Sequence, residues 1–277
     1  MIVKLYSQNA LDGFSKPETA KEYIEIIRQM KPDAAVFTEA YKAGTDEVLK
    51  TSIKQLESLG YNVFHGPYDE QDGRKDKHGI LLAVRTPLSS AKKPRLTRIS
   101  EHNIVESWLK LRNNQQIHLL GMHLNDRDEA KRQVELDDLL QLIDVDTPTI
   151  LTGDMNTIHK QEAKGKMFRK AKRIHMLVRL KLHPKTGPTG QPMPNNRGRI
   201  GSVMYRLHEM ASGKTITRLL RSGFTDADPT HQPTCPASNP YAQLDHTLIT
   251  DHLTVKGFER LPEGSSDHRG IVVTLKV

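Results

Sequence analysis

Two hydrophobic periods take turns along the chain. Residues 2–8 form a strand-like apolar run, and residues 16–30 repeat at helical spacing with Tyr23, Ile26, Ile27 and Met30 on one face. Pro17 stands in the first turn of that helix, where a missing N–H is harmless. Residues 33–38 read as a short buried strand ending at Glu39, and 46–59 as a second helix closed by Gly60 at its C-cap. The period then changes to two. The runs 61–65, 78–84, 94–99, 104–111 and 116–123, separated by turns, predict antiparallel strands. Residues 127–143 predict a long helix with Val134, Leu136, Leu139, Leu140 and Ile143 inward, followed by a strand over 149–154.

Past Asn156 the periodic core stops. Residues 160–182 carry Ala163, Met167, Ala171, Ile174 and Val178 at helical spacing between Lys and Arg flanks, and 184–201, rich in Pro, Gly and Asn, reads as an exposed loop. The fold resumes with a helix at 216–222 capped by Gly223 and strands at 243–249, 253–260 and 270–277. No internal repeat is present. Two successive layers of mixed, mainly antiparallel strands, each carrying helices outside, predict a single α/β sandwich domain over 1–277 with one basic insertion at about 157–215.

Composition adds bounds. Hydrophobic residues make up 36%, enough for a core in a chain whose mean hydropathy is −0.57. The lone Cys235 excludes an internal disulfide and suits a reducing compartment, with Cys235 itself a bystander. The amino terminus enters a strand-like run with no basic-then-apolar leader, and no apolar run reaches the ~18 residues of a membrane span, so the expectation is a cytoplasmic protein. The net charge of +8 is unevenly spread. Between Thr157 and Thr215 fourteen Lys or Arg stand against Glu162 and Glu209, a local +12, which leaves the rest of the chain near −4. Such a field suits a polyanion, either nucleic acid or an anionic lipid surface, although a solvated loop would look the same.

The chemistry gathers at strand ends. Thr149 to Asn156 reads as an apolar strand that stops at Gly153 and presents Asp154 and Asn156, two residues apart and therefore expected to share one direction. Asn9 ends the first strand, Glu39 the second, and His123 with Asn125 the strand over 116–123. Asp245 opens Leu244-Asp245-His246, and Ser266-Asp267-His268 precedes the last strand. Taken singly each is an ordinary turn former or solvated polar group. Six such sites in order, each closing or opening a strand, point to a ligand site built on rigid sheet ends.

Ser7-Gln8-Asn9, Thr38-Glu39-Ala40, Gly121-Met122-His123-Leu124, Thr152-Gly153-Asp154-Met155-Asn156, Gln243-Leu244-Asp245-His246 and Ser265-Ser266-Asp267-His268-Arg269 also resemble the successive motifs of the endonuclease/exonuclease/phosphatase superfamily. That group includes pancreatic-type deoxyribonuclease, abasic-site endonucleases, sphingomyelinases and inositol-polyphosphate phosphatases. The resemblance spans nearly the whole chain outside the basic segment. It implies a four-layer α/β sandwich of two packed sheets with helices outside, and phosphoester cleavage dependent on a divalent metal.

Chemistry and resemblance together suggest roles. Glu39 is the first choice as ligand for Mg²⁺ or Mn²⁺, with Asn9 and Asp267 completing or supporting the sphere. His268 and Asp245 form a His–carboxylate pair. Either His268 activates water, or it is a cation that stabilises phosphate while Asp154 is the base; the sequence leaves both open. His123 and Asn156 would then bind non-bridging oxygens, with Asn125 beside them. Residues 78–82 resemble a family strand near the site. Leu11 replaces an acid frequent in abasic endonucleases and His123 replaces their Tyr, which turns the reading away from that branch. The expected activity is a nuclease, with 160–206 as a phosphate-backbone clamp using Lys166, Arg169, Lys170, Lys172 and Arg173. A phosphatase or phospholipase on a phosphoinositide or sphingomyelin-like substrate is the first alternative, a non-catalytic binding module the second, and a monomer is the expected state.

Overall fold

The computed structural model describes residues 1–42, 46–67, 78–88, 93–100, 102–144, 146–159 and 209–277. Their elements run β1 (Ile2–Asn9), α1 (Pro17–Met30), β2 (Ala34–Thr38), α2 (Asp46–Ser58), β3 (Tyr61–Pro67), β4 (Gly79–Arg85), β5 (Arg95–Ile99), β6 (His102–Lys110), β7 (Gln116–His123), α3 (Glu129–Gln141) and β8 (Thr149–Asp154). After the basic segment follow α4 (Lys214–Arg221), β9 (Thr225–Asp226), β10 (Asp245–Ile249), β11 (Thr254–Arg260) and β12 (Ile271–Lys276). The strands form two six-stranded sheets, ordered β11-β12-β1-β2-β4-β3 and β5-β6-β7-β8-β10-β9.

Each sheet is built around one parallel pair. β1 and β2 run parallel and are joined by α1; β7 and β8 run parallel and are joined by α3. A helical crossover is what parallel neighbours require. The remaining ladders are antiparallel.

Alternation along the strands divides the core. Val3, Leu5, Ala34, Val36, Ile80, Leu82, Ile117, Leu119, Ile150 and Ile249 meet between the sheets. Their sequence neighbours face outward: Tyr6, Phe37 and Leu81 pack under α1 and α2, while Leu120, Leu151 and Leu248 pack under α3 and α4. The result is the expected four-layer sandwich. Position 121 faces the middle layer, where a Cβ would lie 2.6 Å from Val36, so glycine fits there.

Element ends differ from the expectation by a few residues, and one helix differs in kind. α3 begins at Glu129, with Asp128 as N-cap accepting from Ala130 N. Val134, expected inward, is 50% exposed, and the buried positions are Glu129, Arg132, Glu135, Leu136 and Leu139. Arg132 is wholly buried with each guanidinium nitrogen paired, to Glu129 Oε2 at 3.0 and 3.2 Å, Asn125 O at 2.6 Å and Glu209 O at 2.9 Å. Glu135 is held by His102 and by Asn125 N. Apolar periodicity misses a face made of paired charges.

The basic segment lies outside the described residues from 160 to 208, as do Lys166, Arg169, Lys170, Lys172 and Arg173. Its points of departure and return adjoin: Ile158 N donates to Met210 O at 3.2 Å, and Ile158 packs with Ala242, Leu244 and Met210. Among the described residues no helix is long and apolar enough to cross a membrane.

Candidate active site

The alternation that fills the middle layer with aliphatics also decides what lines its end. Asn9 shares the parity of Val3 and Leu5 on β1, His123 that of Ile117 and Leu119 on β7, Asp154 that of Ile150 on β8, and Asp245 that of Ile249 on β10. All four therefore point between the sheets, at one end of that layer. Register brings them level, with Asn9 beside Thr38 and Asp154 between His123 and Asp245. Glu39 follows β2 directly, and His268 stands just before β12, the antiparallel neighbour of β1.

The side chains meet. Asn9 Nδ2 donates to Asp154 Oδ2 at 3.0 Å and to Glu39 Oε1 at 3.2 Å, so one amide links the two sheets. His123 Nε2 lies 3.6 Å from Asp154 Oδ2 and 3.7 Å from Glu39 Oε1. His268 Nε2 lies 3.9 Å from Asp154 Oδ2, and its Nδ1 is 2.7 Å from Asp245 Oδ2. Ser266 anchors this arm, donating to Asn9 O at 2.7 Å and accepting from His268 N at 3.1 Å. Gln8 Nε2 donates to His268 O at 3.0 Å, and Thr234 Oγ1 accepts from Asp245 N at 3.2 Å.

Local backbone geometry explains the residue types. Gly153 has φ 135°, and a Cβ there would meet Met122 O at 2.0 Å, so only glycine lets β7 and β8 close up immediately before the acid. The strand runs through Gly153 to Asp154 rather than stopping at it. Glu39 (φ 43°) and Asn156 (φ 48°) are left-handed, a conformation that costs a non-glycine residue about 1–2 kcal/mol. Because Asn156 is left-handed, the two-residue rule of an extended chain does not carry over to it. Its backbone N donates to Asp154 Oδ1 at 2.9 Å and its Nδ2 to Leu124 O at 3.0 Å, so it braces Asp154.

Charge separates the acids. Burial opposes a charged His268, yet the Asp245 and Asp154 carboxylates and the contacts with Asp245 and Cys235 override it and raise its pKa well above the ordinary histidine value. Burial pushes Asp245 up, but the charge and hydrogen bond of His268, with Thr234 and His246, hold it below the usual carboxylate value. At Asp154 burial prevails over the pull of His268 and His123, and its carboxyl is raised. One acid stays ionised to hold an imidazolium; the other can take a proton.

Glu39 is suited to a hard cation. It has part of its side chain exposed (20%), unlike Asp154 and Asp245, and its oxygen lies close to the same Asn9 and His123 nitrogens as Asp154 Oδ2. Mg²⁺ keeps several waters and needs only one or two carboxylates, which an acid at the mouth of a buried cluster supplies. Asn9 turns its oxygen to Leu11 N at 3.1 Å, so it presents hydrogen to the acids. Asp267 is exposed and, among the described residues, its carboxylate meets the hydroxyl of Ser266 at 3.5 Å. Asn125 Oδ1 accepts from Arg127 N and Asp128 N, which shapes the entry to α3. Gln8, Ser266 and Thr234 are contributors that the sequence does not single out, although the first two lie inside its motifs. Cys235, expected to be a bystander, is half-buried against His268. β4 runs beside the Glu39 turn, where Gly79 O accepts from Ala40 N at 2.7 Å.

Residues 9–268 match the Endonuclease/Exonuclease/phosphatase family. No curated protein matches the chain. Among solved structures, an endonuclease/exonuclease/phosphatase from Beutenbergia cavernae DSM 12333 is similar with a TM-score of 0.68 at 15% identity, over 100% of this chain and 72% of that one. The human Nocturnin catalytic domain with bound sulfate anion gives 0.62 at 16% identity, over 99% of this chain and 94% of that one. D. rerio TDP2, humanized by 14 mutations, gives 0.60 at 15% identity, over 100% and 99%. At such identities the likeness is one of fold.

Proposed function

The chain belongs to the Endonuclease/Exonuclease/phosphatase family, a family of phosphoester hydrolases that use divalent metals, and from that premise we propose that it is a metal-dependent phosphodiesterase that cuts nucleic acid. The observation that carries the reading is the meeting of Asn9, Glu39, His123, Asp154, Asp245 and His268 at one end of the layer between the sheets. Glu39 would hold Mg²⁺ or Mn²⁺, which supplies Lewis-acid neutralisation of charge at the phosphate.

The chain's own groups account for the proton and the charge. As the water oxygen bonds to phosphorus and the P–O bond to the leaving group breaks, Asp154 Oδ2, raised by burial, takes the water's proton, and the leaving oxygen departs with the bonding pair and is protonated from solvent. His268, kept an imidazolium by Asp245, faces the charge that grows on the phosphoryl oxygens, and His123 flanks it. Of the two roles open for His268, its cationic state favours charge stabilisation over base catalysis. Asn9 and Asn156 position Glu39 and Asp154.

Nucleic acid is favoured over a small phosphoester by charge placement. The +12 segment departs just beyond Asp154 in the chain, and its described ends adjoin at Ile158 and Met210, so a strong local excess of positive charge is joined to the fold close in sequence to a catalytic acid. The test is a substrate panel in Mg²⁺ and in chelator: plasmid, abasic duplex, RNA, inositol phosphates and sphingomyelin. Cleavage of a polynucleotide that falls steeply with salt, while hydrolysis of a small chromogenic diester does not, is the expected outcome. Turnover confined to inositol phosphate or sphingomyelin overturns the nucleic-acid assignment, and no metal-dependent turnover overturns the enzyme.

A further inference from the structure

Asp245 and His246 are neighbours on β10, and alternation sends them to opposite faces. His246, wholly buried, faces away from the site described above. Its Nδ1 lies 3.2 Å from Asp226 Oδ2 on β9, and His159 Nε2 approaches the same oxygen to 3.0 Å. The three atoms all lie within 4.8 Å of one another. His231 leans on His159 with ring centroids 3.7 Å apart, and its own Nδ1 is buried with no hydrogen-bond partner among the described residues.

Two features of this cluster suit a bound cation. The first is the tautomer. His246 Nε2 lies 2.9 Å from Thr157 O, a carbonyl that only accepts, so Nε2 carries hydrogen. With hydrogen on Nε2, His246 turns Nδ1 to a carboxylate oxygen, an arrangement that calls for a cation between them, either a proton or a metal ion. A backbone carbonyl on the other ring nitrogen is also the partner that orients metal-ligating histidines. The second feature is length. His268–Asp245, at 2.7 Å, has the span of a charge-assisted hydrogen bond, which runs at about 2.7–2.9 Å. The contacts at 3.0 and 3.2 Å are longer, though within the ordinary N–H···O range of about 2.7–3.2 Å. They approach the ~3.3 Å between ligand atoms of a tetrahedral ion whose bonds are about 2.0–2.1 Å.

We infer that His159 Nε2, His246 Nδ1 and Asp226 Oδ2 form a second metal site, for a zinc-type ion, on the face of β10 opposite the active site. Two imidazoles and one carboxylate suit Zn²⁺ better than Mg²⁺, which prefers oxygen throughout. The ligands come from three places: five residues past Asp154, on β9, and next to Asp245. An ion there clamps the exit of β8 to β9 and β10 and steadies the backbone that carries both catalytic acids.

The test uses the full chain, free of affinity tags and stripped by chelator. Co²⁺ is added in the presence of excess Mg²⁺ and followed by visible absorption; Zn²⁺ is added separately and its stoichiometry measured by calorimetry and elemental analysis. The expected result is one ion per chain, tetrahedral Co²⁺ bands, and an affinity that falls at least tenfold in His159→Ala and in Asp226→Asn. Glu39→Gln keeps the ion, which separates this site from the one proposed for catalysis. No tightly bound ion, or full retention in both ligand variants, overturns the inference and leaves a proton as the cation in the cluster. Asp226→Asn preserves shape and one acceptor, so it decides the matter even where His159→Ala fails to fold.

Discussion

β10 separates two clusters made of the same residue types. On its inner face Glu39, Asp154 and Asp245 outnumber His123 and His268; on its outer face His159 and His246 meet at the carboxylate of Asp226, with His231 stacked on His159 and Asp228 near His231. The inner cluster has oxygen to spare, and its mouth opens through Glu39. The outer one has nitrogen to spare, with His246 fully buried. Identical building blocks thus differ in what they lack: the acid-rich face is short of positive charge that a hard cation and a phosphate's partners would bring, while the imidazole-rich face is set to bind a softer ion. A residue's chemistry follows from the count of its neighbours.

The comparison breaks most visibly on the inner face. Asp154→Asn, with saturating Mg²⁺, is expected to lower kcat on a polynucleotide by about 10³-fold or more, since it removes the proton acceptor and a charge together. A loss below tenfold would mean that Asp154 is only structural. His268→Gln should cost about 10²-fold, and Asp245→Asn, which acts through His268, about 10- to 100-fold. Should Asp245→Asn prove the worst of the three, the imidazole rather than Asp154 would be the base.

The same pair sets a window of stability in chelated protein. His268 has a raised folded-state pKa, so its contribution is present below the unfolded value near 6.5 and is lost as pH climbs through the raised one. Asp245 is lowered, so its contribution is present above about 4 and is lost as pH drops through the folded value. Both act together between about pH 4 and 6.5, where a charge-assisted bond contributes about 1.5–3 kcal/mol. Urea unfolding of the parent and of His268→Gln should differ most in that window and converge toward either extreme. An unchanging difference from pH 4 to 9 would show that the pair is not titrating.

Much of this is legible in the chain. The strand β8 follows from its apolar run and the Gly-Asp that closes it, although it continues through Gly153, and alternation along β1, β7, β8 and β10 implies which polar ends share a face. What escapes has a common cause. The buried face of α3 rests on Arg132 reaching Glu209, 77 residues away, and no local period encodes that. Asn156 stands in a left-handed turn, so extended-chain parity fails two residues past the end of the strand at Asp154. His159, Asp226 and His246 stand 67 and 20 residues apart, a spacing with no signature, and nothing in the sequence marks His246 beyond its place next to Asp245.

The smallest effect is the one that joins the two faces. Asp226→Asn touches nothing on the active side, yet His246 shares a peptide bond with Asp245, and His246 lowers the pKa of Asp245. Loss of the outer carboxylate lets the His246 ring shift, and the shift is transmitted as a change in how firmly Asp245 holds His268. Turnover should therefore fall by no more than about tenfold, the size of a supporting-residue effect, with KM little changed. Adding Glu39→Gln to Asp226→Asn should give no metal-independent recovery. A drop as large as that of Asp154→Asn would mean that β10 carries a single cluster rather than two.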